Sequence, residues 1–307
     1  MRLPTLLVTI VPLALCSPSQ PIMGPIVTPS WVDSHLDSSN VVVVDLRTAD
    51  EYMAGHIPGS TSIPFDTVSA WSIMGESELL LEMPDTDDLY PVLETSGIST
   101  PWPMTKVVLV YGVGDTAYPL AAGPRVAVTL KYAGISTGRV SVLDGGYPGW
   151  VSAGYNTTTD VLANATEANF CGPKDDDFLV KMDYVHERLD SENVIMFDGR
   201  DTAVYNGSVL EAWAEKAGHI PGAYSLPAVN IWNEDGSYKS ETELMTQVYE
   251  SAGGPVSKWS REIIVYCGVG GYASSWYFVL TRVLGFNNVK MYDGSAQEWS
   301  LYYDMEV

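Results

Sequence analysis

The chain has 307 residues, 46% of them hydrophobic, and its 38 acidic and 16 basic side chains give a formal net charge of −22 at pH 7. The hydrophobic share suits globular cores, while the length would strain a single core. The negative charge argues against nucleic acid and anionic membranes as partners, because both would repel such a surface.

The N-terminus has the pattern of a signal peptide. Arg2 precedes a short apolar run, residues 6–15, which is too short to span a bilayer. Ala14 and Cys16 are acceptable small residues for a cleavage site, so residues 1–16 are predicted to be removed. No later stretch of the sequence reaches membrane-spanning length. These features predict a secreted, extracellular protein.

The remaining chain contains an internal repeat of two copies. Four segments recur in the same order: residues 41–47 as 194–200, 56–59 as 219–222, 107–114 as 263–270, and 144–150 as 293–299. Each copy has the usual size of a domain, and the repetition predicts domains at residues 31–155 and 178–302. The Thr/Asn/Asp-rich residues 156–177 show no periodicity and are predicted to be a linker.

The two copies share one order of predicted elements. A β-branched strand ending in Asp-x-Arg is followed by His-Ile-Pro-Gly, a second short strand and a helical stretch. A buried-type strand, a glycine turn, a helix and a last strand complete the copy. The late helices are predicted at 125–132 and 273–284, and the last strands at 139–143 and 288–292. Such alternation predicts an α/β fold in which each mostly parallel sheet is flanked by helices.

Cys267 is the main candidate for chemistry. It ends the apolar run 263–266 and is followed by Gly268, Val269, Gly270 and Gly271, just before a predicted helix. In parallel sheets, sites form at the carboxyl ends of strands. Backbone N–H groups and the helix dipole at such a position favour the thiolate, so Cys267 is predicted to be a nucleophile. The alternative is a small buried core cysteine.

The ordered set of motifs resembles the rhodanese fold. The Asp-x-Arg strand, His-Ile-Pro-Gly, the strand-Cys-glycine loop and the final Asp-Gly-x₄-Trp all contribute, and two copies resemble the tandem sulfurtransferases that act on thiosulfate or 3-mercaptopyruvate. Only the second copy holds the cysteine, since the first has Tyr111 at the matching position. The resemblance implies an inactive first domain that packs against the second and helps to wall the site.

The resemblance also implies a reaction. Cys267 would take a sulfane sulfur from a small donor, thiosulfate or 3-mercaptopyruvate, and pass it as a persulfide to a thiophilic acceptor, cyanide or a thiol. The residues expected to bind the substrate or the persulfide are Gly268, Val269, Gly270, Gly271, Tyr272, Ala273 and Arg200. Glycines permit a loop whose N–H groups turn inward around an anion. No cofactor and no metal is expected, and the protein is expected to be a monomer.

Departures from the family pattern leave the donor open. Thiosulfate enzymes carry basic residues directly after the cysteine, where this chain has Gly268 and Val269. Val204 stands where both branches usually place an arginine. The arginines that remain as candidates for an anion clamp are Arg47, Arg200 and Arg282. Arg47 and Arg200 are more readily explained as structural partners of Asp or Glu.

Two rival functions concern the same loop, and a third belongs to another class. Gly268, Gly270 and Ala273 match a dinucleotide-binding fingerprint, with Asp293 as its acid, but only one strand follows and a full nucleotide-binding sheet needs more. A phosphatase of the related fold needs an arginine six residues after the cysteine, where this chain has Ala273. The third rival is a catalytically idle secreted binding module.

Two further features concern modification. Asn156, Asn164 and Asn206 each begin an Asn-x-Ser/Thr sequon, which predicts a glycoprotein. Removal of the leader would leave Cys171 and Cys267, and a disulfide between them would silence the enzyme. The chain is large enough to fold without such a bond, which argues against it.

Overall fold

A computed structural model of the chain describes residues 23–100, 104–114, 116–161 and 168–307. They form two five-stranded sheets, in which all pairs of neighbouring strands are parallel. The predicted α/β fold with two parallel-sheet domains flanked by helices is confirmed. The predicted signal peptide, residues 1–16, lies outside the described residues.

The two sheets have the same strand order. The first domain holds β1 (Ile26–Val27), β2 (Val41–Asp45), β3 (Thr61–Ser62), β4 (Lys106–Val110) and β5 (Val140–Leu143), ordered β1-β5-β4-β2-β3. The second holds β6 (Leu179–Val180), β7 (Val194–Asp198), β8 (Tyr224–Ser225), β9 (Glu262–Tyr266) and β10 (Val289–Tyr292), ordered β6-β10-β9-β7-β8. The central strands are buried on both faces, which explains their continuous apolar sequence.

Ten helices surround the sheets within the described part of the chain. Those of the first domain are α1 (Pro29–Asp33), α2 (Ala49–Ala54), α3 (Thr86–Thr95), α4 (Tyr118–Tyr132) and α5 (Gly146–Ser152). Those of the second are α6 (Met182–His186), α7 (Thr202–Tyr205), α8 (Glu241–Ser251), α9 (Gly271–Phe278) and α10 (Ser295–Tyr302). None of the described helices is long and apolar enough to cross a membrane.

Two helices differ in extent from their predictions. Helix α4 begins at Tyr118, well before the predicted start at residue 125, and Pro119 in its first turn needs no N–H partner there. Helix α9 begins at Gly271 and passes at Val279 into a π-helical turn that ends at Val283. Gly270 adopts a positive φ of 94° and so lets the helix begin immediately after the cysteine loop.

The two domains pack face to face through α4 and α9. Buried apolar side chains of both helices belong to one continuous core cluster, including Leu120 and Phe278. At the centre, Arg125 of α4 is fully buried and binds Asp293 of the second domain at 2.8 Å. The domains therefore share a core, and the first one contributes directly to the surroundings of β9 and β10.

The segment assigned to the linker lies along the first domain. His56 and Thr158 exchange two backbone hydrogen bonds, each of 2.9 Å. Phe170 is buried and packs against Tyr90, with ring centroids 4.7 Å apart. The backbone N–H of Asp175 donates to the carbonyl of Tyr132 at 2.8 Å.

Candidate active site

Cys267 directly follows β9, at the carboxyl edge of the second sheet. Its Sγ accepts a hydrogen bond of 3.1 Å from the N–H of Gly270. The backbone amides of Val269 and Ala273 also lower the pKa of the thiol. Its own backbone is fixed by Ser295, whose Oγ accepts from the Cys267 N–H at 3.2 Å. The sulfur therefore lies in a ring of inward-pointing amides, as the glycine loop predicts.

Two glycines of the loop are required by close contacts. A Cβ on Gly268 would lie 2.8 Å from the Glu211 carboxylate and from the Trp213 indole nitrogen. A Cβ on Gly270 would lie 2.8 Å from Asp293 Oδ1, and the positive φ of this residue disfavours other side chains in any case. The amide ring around Sγ thus depends on glycine at both positions.

The loop borders a cavity of about 170 Å³ between the two domains. The first domain contributes Thr67, Leu80, Leu81 and Tyr118, and the second contributes Asp201, Val204, Glu211, Trp213, Cys267, Gly268, Val269, Gly271 and Tyr272. Cys267 is only 1% exposed, yet it lines this cavity. The sulfur is therefore sheltered from bulk water and accessible from the cavity.

The predicted site residues separate into two groups. Gly268, Val269, Gly271 and Tyr272 line the cavity, and Gly270 and Ala273 direct their N–H groups at Sγ. Arg200 does not line it. Its guanidinium binds Asp198 through contacts of 2.6–3.1 Å and the carbonyl of Gly218 at 2.7 Å.

The other two clamp candidates also lie elsewhere. Arg47 repeats the Arg200 arrangement in the first domain, with Asp45 and the carbonyl of Gly55. Arg282 donates to the carbonyl of Thr137. The expectation that Arg47 and Arg200 are structural partners of carboxylates agrees with these contacts, and none of the three arginines reaches the cavity.

The net pKa shift of the Cys267 thiol is opposite in direction to the one expected from the loop amides alone. Burial raises the pKa of the Cys267 thiol, the amides of Ala273, Val269 and Gly270 lower it, and the Glu211 carboxylate raises it further. The net pKa lies above the ordinary thiol value. The loop amides therefore favour the thiolate, as expected, but the loss of hydration on burial outweighs them.

Several residues of the cavity were not identified from the sequence. Glu211 and Trp213 lie in a stretch without a counterpart in the first copy: Arg47 and His56 are nine positions apart, Arg200 and His219 nineteen. That unequal spacing was an available signal. The resemblance implied that the first domain helps to form the wall, but no local signal identified its individual residues, because only the packing of α4 against α9 brings them to the cysteine.

Comparison with known families follows the same division of the chain. A family model described as the Rhodanese-like domain matches residues 28–153 and 181–302. The chain belongs to the rhodanese family.

Relatives resemble this rhodanese over most of their length. A Mycobacterium leprae protein named "Putative thiosulfate sulfurtransferase" is 28% identical over 281 residues, which cover 89% of this chain and 94% of that protein. A Thermus thermophilus protein named "Sulfur carrier protein TtuD" is 30% identical over 287 residues, covering 89% and 93%. A solved structure of EanB, with a cysteine persulfide and ergothioneine, has a TM-score of 0.76 and 27% identity, covering 92% of this chain and 71% of EanB.

The first rhodanese-like domain has no thiol at the position matching Cys267. Tyr111 fills that place, fully buried, and its hydroxyl donates to the carbonyl of Gly236 in the second domain at 2.8 Å. A Cβ on Gly146 would lie 2.4 Å from the Tyr111 carbonyl, so the backbone also packs closely there. Tyr111 thus anchors one domain to the other.

The predicted modification sites are partly described. Asn156 and Asn206 are exposed, and Asn164 lies outside the described residues. Cys171 is an exposed free thiol and Cys267 a buried free thiol, so the structure has no bond between them. In the described ranges, no group of His, Cys, Asp or Glu is arranged to hold a metal ion.

Proposed function

We propose that this rhodanese is a sulfurtransferase that carries a sulfane sulfur on Cys267. The observation that supports this most directly is the position of Sγ, which accepts a hydrogen bond of 3.1 Å from the N–H of Gly270 and faces a cavity of about 170 Å³. The backbone amides of Val269 and Ala273 also act on the sulfur and lower its pKa. Fixed amide dipoles around a sheltered sulfur stabilise negative charge as it develops. A persulfide anion requires this stabilisation of its negative charge.

The transfer has two displacement steps. The Cys267 thiolate attacks the outer sulfur of thiosulfate, an Sγ–S bond forms, and the S–S bond of the donor breaks with its electron pair leaving on sulfite. With 3-mercaptopyruvate the C–S bond breaks instead, and the carbon that receives the pair takes up a proton. In the second step, cyanide or a thiolate attacks the outer sulfur, and the Sγ–S pair returns to Cys267.

The relatives support the same class of reaction. The name of the Mycobacterium leprae protein specifies thiosulfate as its donor, and that of the Thermus thermophilus protein specifies sulfur carriage. EanB has been solved with a cysteine persulfide. The proposed partners of this chain are accordingly a small sulfur donor and a small acceptor.

The proposal includes a location. The predicted signal peptide, residues 1–16, and the exposed sequon asparagines Asn156 and Asn206 support a secreted glycoprotein. We propose that it acts outside the cell as a monomer. Mass analysis of the protein from a eukaryotic culture medium, before and after enzymatic removal of N-linked glycans, tests the location and the modification together.

The chemistry is tested by mass spectrometry of the purified protein after incubation with thiosulfate or 3-mercaptopyruvate. We expect a gain of about 32 Da, one sulfur atom, on the peptide that contains Cys267. Cys267→Ser should abolish the gain, and Cys171→Ser, which removes the other described thiol, should retain it. An unmodified Cys267 with every donor tried would instead support the idle binding module.

A further inference from the structure

Resting on the sulfurtransferase function above, we propose that the cavity selects a sulfur acceptor with a positive charge near its thiol, and that Asp201 and Glu211 set this preference. The substrate class is a small aminothiol. Anionic thiols and the thiosulfate dianion are disfavoured at the same site. The charges of the cavity wall produce this preference.

Glu211 carries a charge that its neighbours do not cancel. Its nearest cation is Arg200, with Nη1 3.4 Å from the carboxylate. That guanidinium already binds Asp198 at 2.6 Å and is buried with it. Two carboxylates therefore share one cation. Burial raises the pKa of Glu211 and the Arg200 cation lowers it, so at a pH above that pKa the group of three has a net charge of −1 at the wall of the cavity. The Glu211 carboxylate and the Trp213 indole nitrogen both lie beside Gly268, each 2.8 Å from a Cβ placed there.

Asp201 adds a second negative charge at the rim. It is exposed and stands immediately before α7, yet its side chain makes no capping hydrogen bond to that helix. It also lines the cavity and lies near the hydroxyl of Tyr272. Its carboxylate does not cap α7 and is thus available to a bound molecule.

The described part of the cavity wall has no cationic side chain of its own. Among the described residues, no Lys, Arg or His lines the cavity, and Val204 and Val269 occupy places in the wall where an anion-binding site would need polar or basic groups. The other large side chains are aromatic: Tyr118, Trp213 and Tyr272. Aromatic faces attract cations. The side chains of the wall therefore combine two features that favour an ammonium group, and none of the described ones is a cation that could bind a dianion beyond the amides at Sγ.

The charge of the loaded enzyme reinforces the selection. A persulfide on Cys267 is itself anionic, so an incoming anionic thiolate meets three negative charges, whereas an aminothiol brings its own cation. Its thiolate attacks the outer sulfur, the new S–S bond forms on the acceptor, and the Sγ–S bond breaks with its electron pair on Cys267. The product is the persulfide of the acceptor, which keeps its ammonium group.

Three thiols of similar size test the proposal: cysteamine, 2-mercaptoethanol and 3-mercaptopropionate. The enzyme is first loaded to the Cys267 persulfide and freed of donor, and the loss of about 32 Da is then followed by quenched mass spectrometry. Rates are divided by those of the same thiols with glutathione persulfide, which removes their intrinsic reactivity. We expect cysteamine to exceed 2-mercaptoethanol by about tenfold and 3-mercaptopropionate to fall below it by about tenfold.

Matched variants assign the effect to the cavity. Asp201→Asn should reduce the ratio between the normalised rates of cysteamine and 3-mercaptopropionate, which is the spread of the series, by several-fold. Asp183→Asn removes the same charge from an exposed position outside the cavity, in the first turn of α6, and should leave the spread unchanged. Normalised rates that are equal, or highest for 3-mercaptopropionate, overturn the proposal, as does an equal effect of the two variants. A persulfide that never forms on Cys267 overturns the proposed function instead.

Discussion

Gly270→Ala is the sharpest test of the amide ring around Cys267. An alanine would adopt a positive φ of 94°, which costs about 1–2 kcal/mol for a residue with a Cβ. The Cβ would also lie 2.8 Å from Asp293 Oδ1 and 3.3 Å from Arg125 Nη1. Asp293 cannot retreat easily, because Arg125 and the N–H of Met83 hold its two oxygens at 2.8 and 3.0 Å. Such overpacking adds about 1–3 kcal/mol.

The total loss, about 2–5 kcal/mol, should appear in urea unfolding. Displacement of the loop should also move the N–H of Gly270 away from Sγ and slow persulfide loading by more than tenfold. Gly285→Ala is the matched control: its φ is +74°, but nothing lies within 4 Å of the added Cβ. This variant should lose only about 1–2 kcal/mol of unfolding free energy and should form the Cys267 persulfide at the wild-type rate. Equal stability losses in the two variants, with unchanged loading in Gly270→Ala, would refute the account of the loop.

Three further outcomes follow from buried ionisable groups. Arg125→Met leaves Asp293 without its cation and should lower the free energy of unfolding in urea by about 3–5 kcal/mol. Lys131→Met, whose ion pair is partly exposed, should lower it by at most about 1 kcal/mol, and equal losses in the two variants would contradict this. Burial and the nearby Asp293 raise the pKa of Glu82 from 4.5 to about 8, so the folded state keeps a proton that the unfolded state releases, and stability should fall as pH rises from about 5 to about 8. Glu82→Gln should flatten that slope, and an unchanged slope would count against the buried proton. Because burial raises the pKa of the Cys267 thiol above its ordinary value, initial loading rates should still climb at about pH 9, and a plateau below about pH 8 would contradict the shift.

The role of the first domain is supported by reciprocal contacts. Leu80 exchanges two hydrogen bonds with the side chain of Gln297, at 2.8 and 2.9 Å. In the opposite direction, the N–H of Tyr238 donates to Asp144 at 2.9 Å. Each domain thus covers the end of the other sheet. The first domain closes a cavity that contains a thiol, and the second covers a position filled by Tyr111.

The sequence by itself determined the repetition, the fold class and the place of Cys267 at the end of a strand. These features depend on local chemistry: β-branched runs favour strands, and glycines permit the turn that follows β9. Their order along the chain needs no knowledge of distant contacts, so parallel sheets and a cysteine at a sheet edge could be predicted.

Only the tertiary structure decided the charge and the accessibility of the site. Arg200 is one of the candidates for an anion ligand in the sequence, but the fold pairs it with Asp198 and Glu211 behind the cavity wall. Burial raised the thiol pKa that the loop was expected to lower. Asp201, Glu211 and the wall from the first domain meet only when α4 packs on α9. Hydration and ion pairing depend on residues far apart in the chain, and local sequence patterns do not encode which of them become neighbours.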